Sequence, residues 1–139
     1  MSKCRVDRTT SPTFKRDVKN LKKSYRKIEE DLAALCAEIA NNYKGAANAT
    51  LLRMPKAPAL QGKVWKYDCK SSEINRHPRE SLRVIAILDE QADELPTLFA
   101  VWCDLRKNIP ELISPKDIAR LMERLAEAKE RPLAEEEAT

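Results

Sequence analysis

The sequence predicts an α+β domain: a first strand, a helix hairpin, three further strands that form a small antiparallel sheet, and a C-terminal helix. Three observations carry this reading. Apolar residues recur at helical spacing after Ser11-Pro12, as Phe14, Val18 and Leu21, and again from Ile28. The stretch VWKYD at 64–68 alternates with period two, the pattern of a half-buried strand. LRVIAIL at 82–88 is apolar on both faces apart from Arg83, which places it in a sheet interior.

Each element has its own local reason. Residues 3–9, KCRVDRT, form a short strand with Cys4, Val6 and Arg8 on one face. Ser11 is a good N-cap and Pro12 a good first helical residue, because its missing N–H has no partner there anyway. The first helix then shows Lys15, Arg16, Lys19, Lys22 and Lys23 on its other side. After a break near Ser24, the apolar series Ile28, Leu32, Leu35 and Ile39 predicts a longer second helix. It ends by Lys44, with Gly45 placed to take a left-handed terminal conformation. Residues 46–62 contain Pro55, Pro58 and Gly62 and read as loop, with room for a turn around Leu51 and Leu52. Residues 63–69 form the second strand, 82–88 the third and 97–103 the fourth, and their short connections favour antiparallel neighbours. Ser114, Pro115 and Asp117 open the last helix as an S-x-x-D start. The domain spans 1–131, and 132–139 form an acidic tail that frays.

Composition narrows the function classes. At 139 residues one domain is expected, and two glycines with 35% charged residues fit a helix-rich globular chain. Cys4, Cys36, Cys69 and Cys103 show no CxxC spacing and only one histidine accompanies them, so they read as reduced, mostly buried thiols. No metal and no cofactor is expected. The amino terminus lacks the apolar core of a secretory signal and no run is long enough to span a bilayer, so a cytoplasmic protein without membrane attachment is expected. Charge is segregated: residues 1–28 hold ten Lys/Arg against two acids, and residues 84–139 hold thirteen acids against seven bases. One surface is therefore expected to meet a polyanion.

An arginine inside the most apolar run needs an anionic ligand or a fixed partner. Asp68 and Asp104 are the candidate partners within the chain.

Order and spacing together resemble the RelE/ParE superfamily of bacterial toxins, over about residues 3–128. The first helix, SPTFKRDVKNLKK, matches the family's lysine-studded start. VWKYD at 64–68 is similar to its second strand "vyKlR", and SLRVIA at 81–86 to its third, "GyRviy". NRHPRES at 75–81 stands where the family carries a basic loop. Trp102 with Arg106, and ISPKDI at 113–118, match the end of its fourth strand and its final helix entry. There are departures. Asp68 stands where the family often has arginine, Ser81-Leu82 replace Gly-Tyr, Asp104 replaces a lysine, and no tyrosine follows residue 67.

The resemblance implies a metal-independent, ribosome-dependent mRNA endoribonuclease, the toxin of a type II toxin–antitoxin pair, which would stop translation and be neutralised by a cognate antitoxin protein. Its partners would be ribosome and mRNA. RNA supplies its own 2′-hydroxyl nucleophile, so the protein must supply a base, an acid and a cation over the phosphate. On this reading Arg83 stabilises the phosphate and Lys66 is the base. His77, set between Arg76 and Arg79, moves a proton. Lys63, Arg76, Arg79 and Arg106, with Lys15, Lys19 and Lys22 of the first helix, contact RNA phosphates or the ribosome. Trp65 and Trp102 are expected in the core rather than stacked on bases. The departures bear on catalysis more than on fold, and two alternatives stand beside the nuclease: a ParE-like, non-enzymatic inhibitor of DNA gyrase, and a catalytically silent relative that binds RNA or ribosome.

Overall fold

The computed structural model describes residues 2–55, 57–69, 82–90, 95–109 and 114–138. Strand β1 (Arg5–Asp7) leads into the helix hairpin α1 (Pro12–Lys22) and α2 (Ile28–Asn41). Then come β2 (Thr50–Leu51), β3 (Val64–Cys69), β4 (Leu82–Asp89), β5 (Thr97–Leu105) and helix α3 (Pro115–Ala138). Single 3₁₀ turns occupy Pro58–Leu60 and Arg106–Asn108.

The five strands form one sheet in the order β1-β5-β4-β3-β2. β2 to β5 are antiparallel neighbours, but β1 lies parallel to β5, with Arg5 opposite Thr97 and Asp7 opposite Phe99. The sheet is therefore mixed, which corrects the expectation of an antiparallel one. The physical reason lies in connectivity: a parallel pair needs a long crossover, and here everything from α1 to β4 intervenes between the paired strands. A further correction concerns β2, formed within the stretch read as loop, where Leu51 lies opposite Trp65 and the Leu52 N–H continues to the Val64 carbonyl at 2.8 Å.

Local chemistry sets the element ends. Asp7 closes β1 by accepting from the N–H groups of Thr9 at 2.9 Å and Thr10 at 2.7 Å. Ser11 then caps α1, its hydroxyl accepting the Phe14 N–H at 3.3 Å, with Pro12 in the first turn as expected. In α2 the residues Ile28, Leu32, Leu35 and Ile39 form the buried stripe, and Glu29, Glu30 and Asp31 sit at the positive end of the helix dipole. The helix stops at Asn41, earlier than expected. Extended backbone at Asn42 lets the next N–H, that of Tyr43, reach the Ser2 carbonyl instead. The left-handed backbone expected at Gly45 falls instead on Ala47 (φ 45°) and Asn48 (φ 55°). The Ala47 carbonyl accepts the Asp68 N–H at 3.0 Å, so that strained turn is held against β3. At α3, Ser114 and Asp117 form the expected box: the hydroxyl accepts the Asp117 N–H at 3.2 Å and donates to its carboxylate at 2.9 Å. The α3 backbone runs through Pro132 to Ala138, where a frayed tail was expected.

The sheet separates two apolar layers. Phe14, Ile28, Leu32, Leu35 and Ile39 of the hairpin pack on Trp65, Tyr67, Val84, Ala86, Leu98 and Ala100. On the opposite face Ile118, Leu121 and Ala128 of α3, joined by Leu52, Met54 and Leu60, pack on Val64, Ile85, Ile87, Phe99 and Trp102. β4 is buried from Leu82 to Leu88, as an interior strand must be. β5 carries a bulge: Ala100 lies opposite Ala86 and Trp102 opposite Ile85, which leaves Val101 as the extra residue. Val101 and Trp102 both turn to the α3 face, so the alternation flips, and Cys103 and Leu105 join the hairpin layer. Both tryptophans are buried, in the core positions expected of them. Among the described residues, no helix is long and apolar enough to cross a membrane.

Candidate functional site

Arg83 lies directly opposite Asp68 of β3 on one side and Asp104 of β5 on the other. Its guanidinium grips Asp68 in a fork, Nε to Oδ1 at 2.7 Å and Nη2 to Oδ2 at 3.2 Å. Nη1 donates to the Ile109 carbonyl at 2.9 Å. That carbonyl is itself positioned: the Asp104 carboxylate accepts the Leu105 N–H at 2.7 Å and the Asn108 side-chain amide at 3.1 Å, fixing the 3₁₀ turn that leads into Ile109. Arg83 is 0% exposed. The charge in the apolar run is thus held by a bidentate carboxylate and a carbonyl, the arrangement that makes a buried guanidinium tolerable.

The residues drawn from the sequence as a site stand in these surroundings. Arg83 takes the role of partner to Asp68 and faces inward, so a phosphate would have to displace that carboxylate to meet it. Lys66, expected as a base on an open wall, shares the α3 face with Val64 and Asp68 and is only 7% exposed. The two cations do share one face of the sheet, but under cover. His77, Arg76 and Arg79 lie outside the described residues. Lys63 is exposed at the start of β3, and the Leu88 N–H reaches its carbonyl. Arg106, half-buried, follows the partner of Leu82 at the other end of β4. At about 3.3 Å per residue the two are roughly 20 Å apart along the strand. They do not form one patch.

Part of the basic set does converge. Lys15, Lys19 and Lys22 lie three and four residues apart on α1, hence on one helical stripe, and all are exposed. With Arg8 they rim a groove of about 620 Å³ between α1 and α2. Its floor is apolar, made by Phe14 and Val18 of α1 with Leu32 and Ala33 of α2. One acid interrupts the rim: Glu29 accepts from Lys22 Nζ at 2.9 Å across the hairpin, with both side chains more than half exposed. Sequence reasoning found the lysines but missed Arg8 and Ala33. The spacing of the lysines was the visible signal. An exposed alanine beside the buried Leu32 gives no signal until the second helix is in place.

Comparison with family models, with curated proteins and with solved structures gives no match.

α1 is fixed to the rest of the molecule through Asp17. β1 pairs with β5 only as far as Phe99, which leaves later β5 backbone groups on that side without a strand partner. Asp17 accepts the Cys103 N–H at 3.1 Å and the Arg124 guanidinium at 3.0 Å, while Arg124 also donates to the Val101 carbonyl at 2.7 Å. Arg120 and Arg124 both lie 5.5 Å from the centre of the Trp102 ring. Burial pushes the Asp17 carboxyl above its usual range, although the Cys103 N–H and Arg124 pull the other way. Burial raises the thiol of Cys4 to about 11, and that of Cys36 also moves upward, which leaves both in the poorly nucleophilic neutral form. Among the described residues, no group of His, Cys, Asp and Glu is arranged to hold a metal ion.

Proposed function

We propose that the protein is a toxin-type module of RelE/ParE layout, controlled by a separate antitoxin protein, and that it acts on its target by binding rather than by cutting RNA. One observation carries the choice: the cation that would stabilise a cleaved phosphate is enclosed by Asp68 and the Ile109 carbonyl. Further support comes from the aromatic residues. Of the seven aromatics, Phe14, Tyr43, Trp65, Tyr67, Phe99 and Trp102 are buried and Tyr25 is half-buried against the hairpin core, so six of the seven offer no open face on which a base could stack. The element order and the basic stripe of α1 favour the toxin layout, and the nuclease reading now rests on residues outside those described.

The test is induced expression with a translated reporter message followed by primer extension. Growth arrest with the message intact is the expected result. Codon-phased cuts would overturn the binding mechanism, and undisturbed growth would overturn the toxin reading. Loss of amino-acid incorporation without DNA breaks would place the target on the ribosome; DNA breaks with continued translation would place it on gyrase.

A further inference from the structure

The two ends of the α1–α2 groove differ in charge. At the hairpin end Lys22 is held by Glu29, so a carboxylate already stands on the rim there. At the other end Arg8 precedes α1 and has no carboxylate partner among the described residues. Its guanidinium lies close enough to Cys36 of α2 to draw that thiol's pKa down against the effect of burial, so it leans across the groove. Between the ends the floor is made by Phe14, Val18, Leu32 and Ala33, side chains with no hydrogen-bond donor or acceptor. A sugar or a nucleobase resting there would lose water and gain no partner, whereas hydrocarbon loses nothing. The stems of Lys15 and Lys19 extend the apolar wall while their ammonium groups stay in water. The volume, about 620 Å³, falls in the range of small-molecule sites.

We infer that this groove binds a single-chain aliphatic carboxylate of the fatty-acid class, with its head group on Arg8 and its hydrocarbon chain lying over Val18, Leu32 and Ala33 towards Lys22. Charge sets the direction. Arg8 offers a planar fork that matches a carboxylate with two parallel hydrogen bonds, while Glu29 repels an anion at the opposite end. The floor sets the class: an alkyl chain gains in proportion to the apolar area it covers, and it asks for no polar partner along its length. The inference concerns a small ligand and holds whether or not the protein is a toxin.

The test uses the full chain and sodium dodecanoate, below its micelle-forming concentration, in isothermal titration calorimetry. Saturable one-to-one binding is expected, with a Kd on the order of 100 µM or tighter. On the unaltered chain, decanoate, shorter by two methylenes, should bind about five- to tenfold more weakly. Dodecyltrimethylammonium, of like chain and opposite charge, should bind at least about tenfold more weakly. Arg8→Gln is expected to weaken dodecanoate by about tenfold and to leave the cationic amphiphile unaffected. Lys22→Gln should change the affinity less than about twofold, since Glu29 already engages that lysine. Ala33→Trp, which fills the floor from an exposed helical position, should abolish binding with the circular dichroism spectrum unchanged. Absence of saturable binding, uptake of many molecules per chain, or equal affinity for the two charges would overturn the assignment on the unaltered chain alone. Indifference to Ala33→Trp would overturn it as well, and a greater loss from Lys22→Gln than from Arg8→Gln would overturn the placement of the head group.

Discussion

The two faces of the sheet use cations in opposite ways. On the hairpin face the core is apolar, and the lysines of α1 stand outside it in water around a groove. On the α3 face charges are taken inside: Arg83 with Asp68, Lys66 beside them, and Arg124 clamped between Asp17 and the Val101 carbonyl. A buried ion pair gains little over a well-packed apolar substitute, but losing one partner leaves an uncompensated charge at high cost. An exposed lysine costs almost nothing to lose. The difference teaches that a basic residue in the sequence reports function only once its environment is known. Here the cation that looks most catalytic is a brace, and those that look like ordinary solvated surface line an open groove.

The largest effect should come from breaking the brace. Asp68→Asn leaves the Arg83 charge enclosed and half its fork unmatched, and urea denaturation should show a loss of about 3–5 kcal/mol. The double change Arg83→Met with Asp68→Leu should recover most of that loss, because an apolar pair of similar volume suits the α3 layer. If Asp68→Asn costs less than about 1 kcal/mol, Arg83 is not a structural residue and the contrast between the faces fails. Next is Tyr67→Phe. The Tyr67 hydroxyl donates to the Tyr43 carbonyl at 2.7 Å in a fully buried setting, so removal should cost about 1–3 kcal/mol, less than the ion pair because no charge is stranded.

A smaller effect should appear as a slope. Burial raises the Asp17 pKa on folding, so its contribution to stability is fully present below the unfolded-state value and is lost as pH rises through the folded one. Asp17→Asn keeps an acceptor for the Cys103 N–H and removes the titration. Wild type should therefore gain stability relative to this variant as pH falls from neutral to about 4. The opposite slope would mean that pairing with Arg124 outweighs burial, and would move this corner of the molecule from tolerated charge to stabilising charge.

How far the sequence reveals these faces depends on the range of the interaction concerned. Ser11-Pro12, the Ser114–Asp117 box and the stripe Ile28–Leu32–Leu35–Ile39 are local in chain, and the helices start where they predict. The run at 82–88 is apolar on both sides and is indeed the interior strand. What stays hidden is non-local. Nothing in KCRVDRT says that its partner is the last strand in parallel, and period-two reasoning cannot anticipate the extra residue at Val101 that turns Trp102 and Asp104 to the α3 face. The site suffers most from this. Asp68 is visible as a possible partner of Arg83, but the decision between ligand and brace is made by Ile109, twenty-six residues downstream of Arg83, whose carbonyl completes the enclosure.

The smallest expected effect sharpens the comparison most, because it sets one exposed cation of the hairpin face against the buried one. Lys19→Ala removes a side chain in the last turn of α1 that makes no contribution to the core. Alanine is a slightly better helix former, and the lysine interacts favourably with the negative end of the helix dipole by a few tenths of a kcal/mol. These terms oppose each other, so stability should stay within about 0.5 kcal/mol of wild type in urea denaturation. A loss above about 1 kcal/mol would mean that the α1 stripe is structural, and the contrast with the buried cation would fail. With stability unchanged, any change in binding can be assigned to the charge on the rim. Asp68→Asn cannot offer that separation, since it disturbs the fold first.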